Sequence, residues 1–112
     1  MSAPDLAAWM RQAQQVQERI GALQRELARR RVEGEAGAGL VRAVVSGELR
    51  VLEVAIDPQL VTGGDRNMLQ DLVAAAVNAA LASAQRMVQE EMQRAAATFQ
   101  VPAGTPSSGA PE

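Results

Sequence analysis

The sequence predicts an α+β fold: one long helix, a three-stranded antiparallel sheet and a second long helix. Three observations lead there. Apolar residues recur at alternating spacings of three and four from Leu6 to Leu27, a helical period. A glycine-punctuated stretch from Val32 to Ile56 reads as short strands separated by turns, and helical spacing returns from Arg66 to Phe99. The 112 residues are enough for one domain with a modest core, expected over 1–99. Residues 100–112 are a Pro/Gly/Ser-rich tail with almost nothing to bury, expected to be disordered.

The first helix opens on Ser2 as a cap, with Pro4 in its first turn and Asp5 three residues on from Ser2. Leu6, Trp9, Ala13, Val16, Ile20, Leu23 and Leu27 then trace a heptad-like stripe widened by Met10, and Gln, Arg and Glu fill most other positions. The helix is expected to run to about Arg30, with Gly21 its weak point. Val32 to Glu35 follows as a short strand, and Gly37-Ala38-Gly39 as the turn after it. Leu40–Ser46 and Leu49–Ile56 form a hairpin across Gly47-Glu48, where a first-position glycine suits a type II′ turn. Counting outward from that turn sets Val44 opposite Val51, Arg42 opposite Glu53 and Leu40 opposite Ala55. The other side of the pleat then carries Val41, Ala43, Val45, Leu52, Val54 and Ile56, interrupted only by Arg50. Pro58 ends the strand, Gly63-Gly64 breaks the link, and Asp65 caps the second helix. Along that helix Leu69, Leu72, Val73, Ala76 and Ala80 make one stripe, continued by Val77, Leu81, Ala84, Val88, Met92, Ala95 and Phe99. Its many alanines permit close approach by a neighbour.

Composition excludes several kinds of chemistry. Cysteine, histidine and tyrosine are all absent, which removes disulfides, thiolates, the commonest general base and the commonest metal ligand. No nucleophile, base and orienting partner come together in the pattern, so neither an enzyme nor a cofactor or small-molecule substrate is expected. Glu33 and Glu35 lack further ligands for a metal and are expected to be solvated. Gly37-Ala38-Gly39 is followed by a strand, so it lacks the helix N-terminus of a phosphate-cradling loop. The N-terminus has no basic region leading into an apolar run, and the longest apolar stretch, Leu72 to Ala84, is interrupted by Asn78 and Ser83. A soluble, cytoplasmic protein without a membrane partner is expected.

Charge is segregated along the chain. Residues 1–31 carry six Arg against three acids, 32–66 three Arg against six acids, and 67–112 two Arg against four acids. Every cation is arginine. Arg25, Arg29, Arg30 and Arg31, with Arg19 further back, form the densest cationic cluster. Two readings are open: cations favoured by the helix C-terminal dipole, or guanidinium groups that contact phosphates. Arg11, Arg86 and Arg94 are weaker candidates on helix surfaces, and Arg42 is assigned to a pair with Glu53. Trp9 and Phe99 are the only aromatics, too few for a single-strand stacking platform. Nucleic-acid binding would therefore be duplex-directed, through the backbone, with little sequence selectivity.

The helices, about 40 and 50 Å long at 1.5 Å per residue, overhang strands of about 25 Å. Their apolar stripes continue into the overhang, and a three-stranded sheet leaves open edges. Both features predict a symmetric homodimer.

Four segments, Met10-Arg11-Gln12-Ala13-Gln14-Gln15-Val16-Gln17-Glu18, Gly34-Glu35-Ala36-Gly37-Ala38-Gly39-Leu40-Val41, Ile56-Asp57-Pro58 and Met68-Leu69-Gln70-Asp71-Leu72-Val73-Ala74-Ala75-Ala76, stand in this order along the chain. Together they resemble the YbaB/EbfC family of bacterial nucleoid-associated proteins. The resemblance implies the helix–sheet–helix order, a tweezer-shaped homodimer and DNA binding that helps organise the chromosome in the nucleoid. It also implies a link to recombination and replication genes, so a non-enzymatic protein–protein adaptor for that machinery is the alternative. The chain departs from the family pattern in having no lysine along its helices and in its hairpin turn, Ser46-Gly47-Glu48-Leu49.

Overall fold

The computed structural model describes residues 3–98. Helix α1 spans Ala3–Arg29, strands β1, β2 and β3 span Arg31–Ala36, Val41–Ser46 and Val51–Ile56, and helices α2 and α3 span Pro58–Thr62 and Arg66–Thr98. The sheet is antiparallel in the order β1-β2-β3. The expected order of a long helix, three strands and a second long helix is therefore what forms. The expected Ser2 cap, Phe99 and the tail lie outside the described residues.

Helix α3 is capped as expected: Asp65 accepts from the Met68 N–H at 3.0 Å through its side chain. It packs chiefly across β1 and β2. Ala76, Ala80 and Ala84, one turn apart, are fully buried, as are Val41, Ala43 and Val45 of β2 beneath them. The approach is close enough to exclude even a methyl group from the facing strand. A Cβ on Gly34 would lie 2.2 Å from the Ala80 nitrogen and 2.8 Å from the Ala76 oxygen, backbone that cannot yield. Glycine on β1 and alanine on α3 thus jointly set the helix–sheet spacing.

The β1–β2 link bends through three consecutive left-handed residues, Gly37 (φ 65°), Ala38 (φ 56°) and Gly39 (φ 89°). The β2–β3 hairpin differs from expectation. Its loop has three residues, Gly47 to Leu49, closed by the Ser46 N–H donating to the Arg50 carbonyl at 2.8 Å. The Leu49 N–H donates back to the Ser46 carbonyl at 2.9 Å, and Leu49 takes the left-handed conformation (φ 67°). Beyond it Val51 pairs with Val45 and Glu53 with Val44, which leaves Leu52 as an extra residue in a bulge. The longer loop shifts the register by one and the bulge by one more. Arg42 therefore sits opposite Ala55 instead of Glu53, and Val41 opposite Ile56. A shift of two preserves the face of every residue beyond the bulge, so Glu53 still shares a face with Arg42 and Val44.

Gly47 serves a purpose other than the expected type II′ turn. A Cβ there would fall 1.8 Å from the Leu27 carbonyl oxygen, and the Gly47 N–H donates to the Arg30 carbonyl at 3.0 Å. The hairpin tip is thus pressed against the end of α1, where Leu27 is buried. The link after β3, expected as a simple break, contains α2. Asp57 caps it by accepting from the Gln59 N–H at 2.8 Å, with Pro58 in the first turn.

Candidate nucleic-acid interface

Helix α1 is anchored only at its C-terminal end. Over the preceding turns its apolar stripe meets little of its own chain: Leu6, Trp9 and Met10 are 54, 64 and 58% exposed. The radius of gyration is 21.7 Å, against about 13 Å for a compact chain of this length. α1 is an arm reaching away from the sheet.

The sequence-predicted arginines divide into two groups. Arg30, at the end of the arm, faces Glu26 at 3.5 Å and Glu91 of α3 at 3.7 Å, and Glu91 also receives Arg94. Arg31 opens β1 and faces Glu53 at 3.7 Å. Arg86 donates to the Ser83 hydroxyl at 3.0 Å. These four have local partners, although surface pairs at such distances are weak and a phosphate can displace them. Arg11, Arg19, Arg25 and Arg29 are exposed on α1 and have no ion-pair partner among the described residues. At 100° per residue, Arg11, Arg25 and Arg29 fall within about 40° of one another, nearly opposite the apolar stripe, and Arg19 lies on the flank. Glu18 is the acid on the same face. The expected cluster at residues 29–31 is therefore split: Arg29 joins a row along the arm, while Arg30 and Arg31 turn to carboxylates of the body.

In the sequence pattern Arg50 is only an interruption of the apolar face. In the fold it closes the hairpin loop whose Gly47 is pressed against the end of α1, and it is exposed and without an ion-pair partner among the described residues. That placement is invisible in the sequence because it depends on the contact between Gly47 and Leu27.

The sheet face turned away from α3 is polar. Arg42 pairs with Glu33 at 3.9 Å instead of with Glu53, and these three residues, with Arg31, line a shallow depression around Val44 and Ala55. Opposed charges occupy one another there. Among the described residues no group of three or more potential ligand side chains could hold a metal, and no helix is long and apolar enough to cross a membrane.

Comparison with known proteins gives a consistent result. Residues 1–99 match the model of the YbaB/EbfC DNA-binding family. A nucleoid-associated protein of Caldanaerobacter subterraneus subsp. tengcongensis is 42% identical over 93 residues, 83% of this chain and 84% of that one. One from Chlorobaculum tepidum is 43% identical over 96 residues, 86% of this chain and 85% of its own. Among solved structures, an uncharacterized protein from Helicobacter pylori superposes with a TM-score of 0.58 at 17% identity, covering 88% of this chain and 97% of that one. That likeness concerns the fold. The family and its named relatives are DNA-binding and nucleoid-associated proteins, not enzymes.

Proposed function

Because the chain belongs to the YbaB/EbfC DNA-binding family, we propose that it binds duplex DNA as a homodimer, with little sequence selectivity, through arginines on α1. The observation that carries this is the row of Arg11, Arg25 and Arg29, with Arg19 beside it, on the outer face of a projecting helix. Guanidinium groups without carboxylate partners meet phosphates without first giving up an ion pair. Arg50, Arg30, Arg31, Arg86 and Arg94 are secondary contacts, the last four after exchange of their present partners.

A dimer is supported by the exposed stripe on the arm. Leu6, Trp9 and Met10 in water are a standing penalty for a monomer, and a two-fold axis would cover them and double the arginine row. Duplicated arms that grip or bridge DNA suit a contribution to chromosome organisation in the bacterial nucleoid, within the cytoplasm.

The test is duplex binding by the purified protein across a salt series, with oligomeric state measured at the same concentrations. Direct phosphate contact predicts affinity that falls steeply and linearly on logarithmic axes and ignores sequence. An intact dimer that binds no DNA at low salt would favour the adaptor reading, in which recombination or replication proteins are the partners.

A further inference from the structure

Two guanidinium groups from different parts of the chain converge on a single carboxylate oxygen. Arg30 follows α1 directly, and its N–H, donating to the Leu27 carbonyl at 3.1 Å, continues the last turn. That turn puts Arg30 on the flank of the arm that also bears Arg19, about three turns back. Nη1 of Arg30 lies 3.7 Å from Oε2 of Glu91 on α3, and Nη1 of Arg94 donates to the same oxygen. Nη2 of Arg30 lies 3.5 Å from Glu26. The members of this cluster differ in exposure. The Glu91 side chain is 23% exposed, against 42% for Arg30 and 67% for Arg94. The carboxylate is the half-buried member, and both arginines keep much of their surface in solvent.

Ion pairs with this much solvent access contribute little to holding a fold together. Two forked donors set around one oxygen anion are, however, what arginines present to a phosphate. We propose that Arg30 and Arg94 are a phosphate site of the DNA-binding surface, and that Glu91 fills its anion position in the free protein. The proposal rests on the duplex binding of the proposed function and deepens it. A phosphodiester oxygen of the duplex takes the place of Glu91 Oε2, so the two guanidinium groups exchange one anion for another and no proton moves. Two arginines stand here against two carboxylates, Glu26 and Glu91. The cluster is therefore neutral as a whole and adds little to the long-range attraction of DNA. It engages once Arg19 and the outer row have brought the backbone close. Glu91 is an internal competitor, and its presence weakens DNA binding.

The neighbouring acid supplies the control. Glu90 is exposed and has no ion-pair partner among the described residues, so Glu90→Gln removes the same charge from almost the same place without freeing an arginine. Both variants of the full-length protein are compared with the parent in duplex binding across a salt series, with far-UV circular dichroism checking the fold. Glu91→Gln should raise affinity about three- to fivefold at low salt, the scale of one surface ion pair. It should also steepen the logarithmic salt dependence by about 0.9, the value of one more phosphate neutralised. Glu90→Gln acts only through the screened field and should gain less than about twofold. In a chain that also carries Arg30→Ala and Arg94→Ala, the gain from Glu91→Gln should fall to that of Glu90→Gln. Equal gains from the two glutamine variants, or a gain that survives the loss of both arginines, would show that Glu91 fills no phosphate site. A loss of affinity in Glu91→Gln would make Glu91 a support for the arginines and overturn the proposal as well. Each of these results leaves duplex binding by the parent protein standing, whereas a parent that binds no DNA at low salt removes the proposed function and this site together.

Discussion

The region under α3 and the region along α1 carry similar apolar residues and end in opposite states. Under α3, Gly34 and the Ala76/Ala80/Ala84 row bring helix and sheet into backbone contact, and Val41, Ala43 and Val45 are sealed. Along α1, Leu6, Trp9 and Met10 are more than half exposed, and only Leu27 reaches a core. The first region is complete within one chain. The second completes its burial only against something else. Hydrophobic pattern alone does not distinguish them; the difference lies in whether small residues on both sides let two elements close on each other.

Glycine separates the regions most sharply. Gly34→Ala drives a methyl into the backbone of Ala76 and Ala80 and is expected to destabilise by about 3 kcal/mol or more, measured by urea denaturation. Unchanged stability would mean that α3 is not seated as described. Next in size is Ile20→Asp on the arm. It places a charge on the stripe and should weaken self-association at least tenfold while the sheet and α3 retain their circular dichroism. Loss of the whole fold would make the arm part of the core and erase the contrast. Gly21→Ala, in the same helix, meets only the Arg25 guanidinium at 3.5 Å. It is expected to stabilise by about 0.5–1 kcal/mol, because a helical glycine without a close neighbour costs entropy and gains nothing. The same alanine substitution thus has opposite signs in the two regions. The smallest effect is at their ionic contact: Glu91→Gln removes the charge that faces Arg30 and Arg94 from a half-buried position, and because both arginines remain in solvent it should change stability by only about 1 kcal/mol.

What is legible in the sequence follows the same division. The helices and the alanine stripe of α3 can be read because periodicity and capping act within a few residues. The hairpin register cannot. Gly47-Glu48 looks like a two-residue turn, but Gly47 answers to Leu27, and the left-handed position falls on Leu49, a residue without local preference for it. The bulge at Leu52 has no sequence mark either. α2 is hidden because Asp57-Pro58 serves equally as a strand stop and as a helix start. For the candidate interface, the position of each arginine on its helix is legible from spacing. Which arginines are already paired is not, because Glu91 and Glu53 reach Arg30 and Arg31 only through the tertiary fold.

The most direct test of DNA contact by the arm compares two triple variants in duplex binding across a salt series. Arg11, Arg25 and Arg29 changed together to Ala should lower affinity strongly and flatten the salt dependence by about 0.9 in slope for each phosphate no longer neutralised. Arg30, Arg31 and Arg94 changed together should do less, since their charge is already shared with Glu91, Glu26 and Glu53. An unaltered slope in the first variant, or a greater fall in affinity in the second, would contradict the assignment of DNA contact to the outer face of the arm.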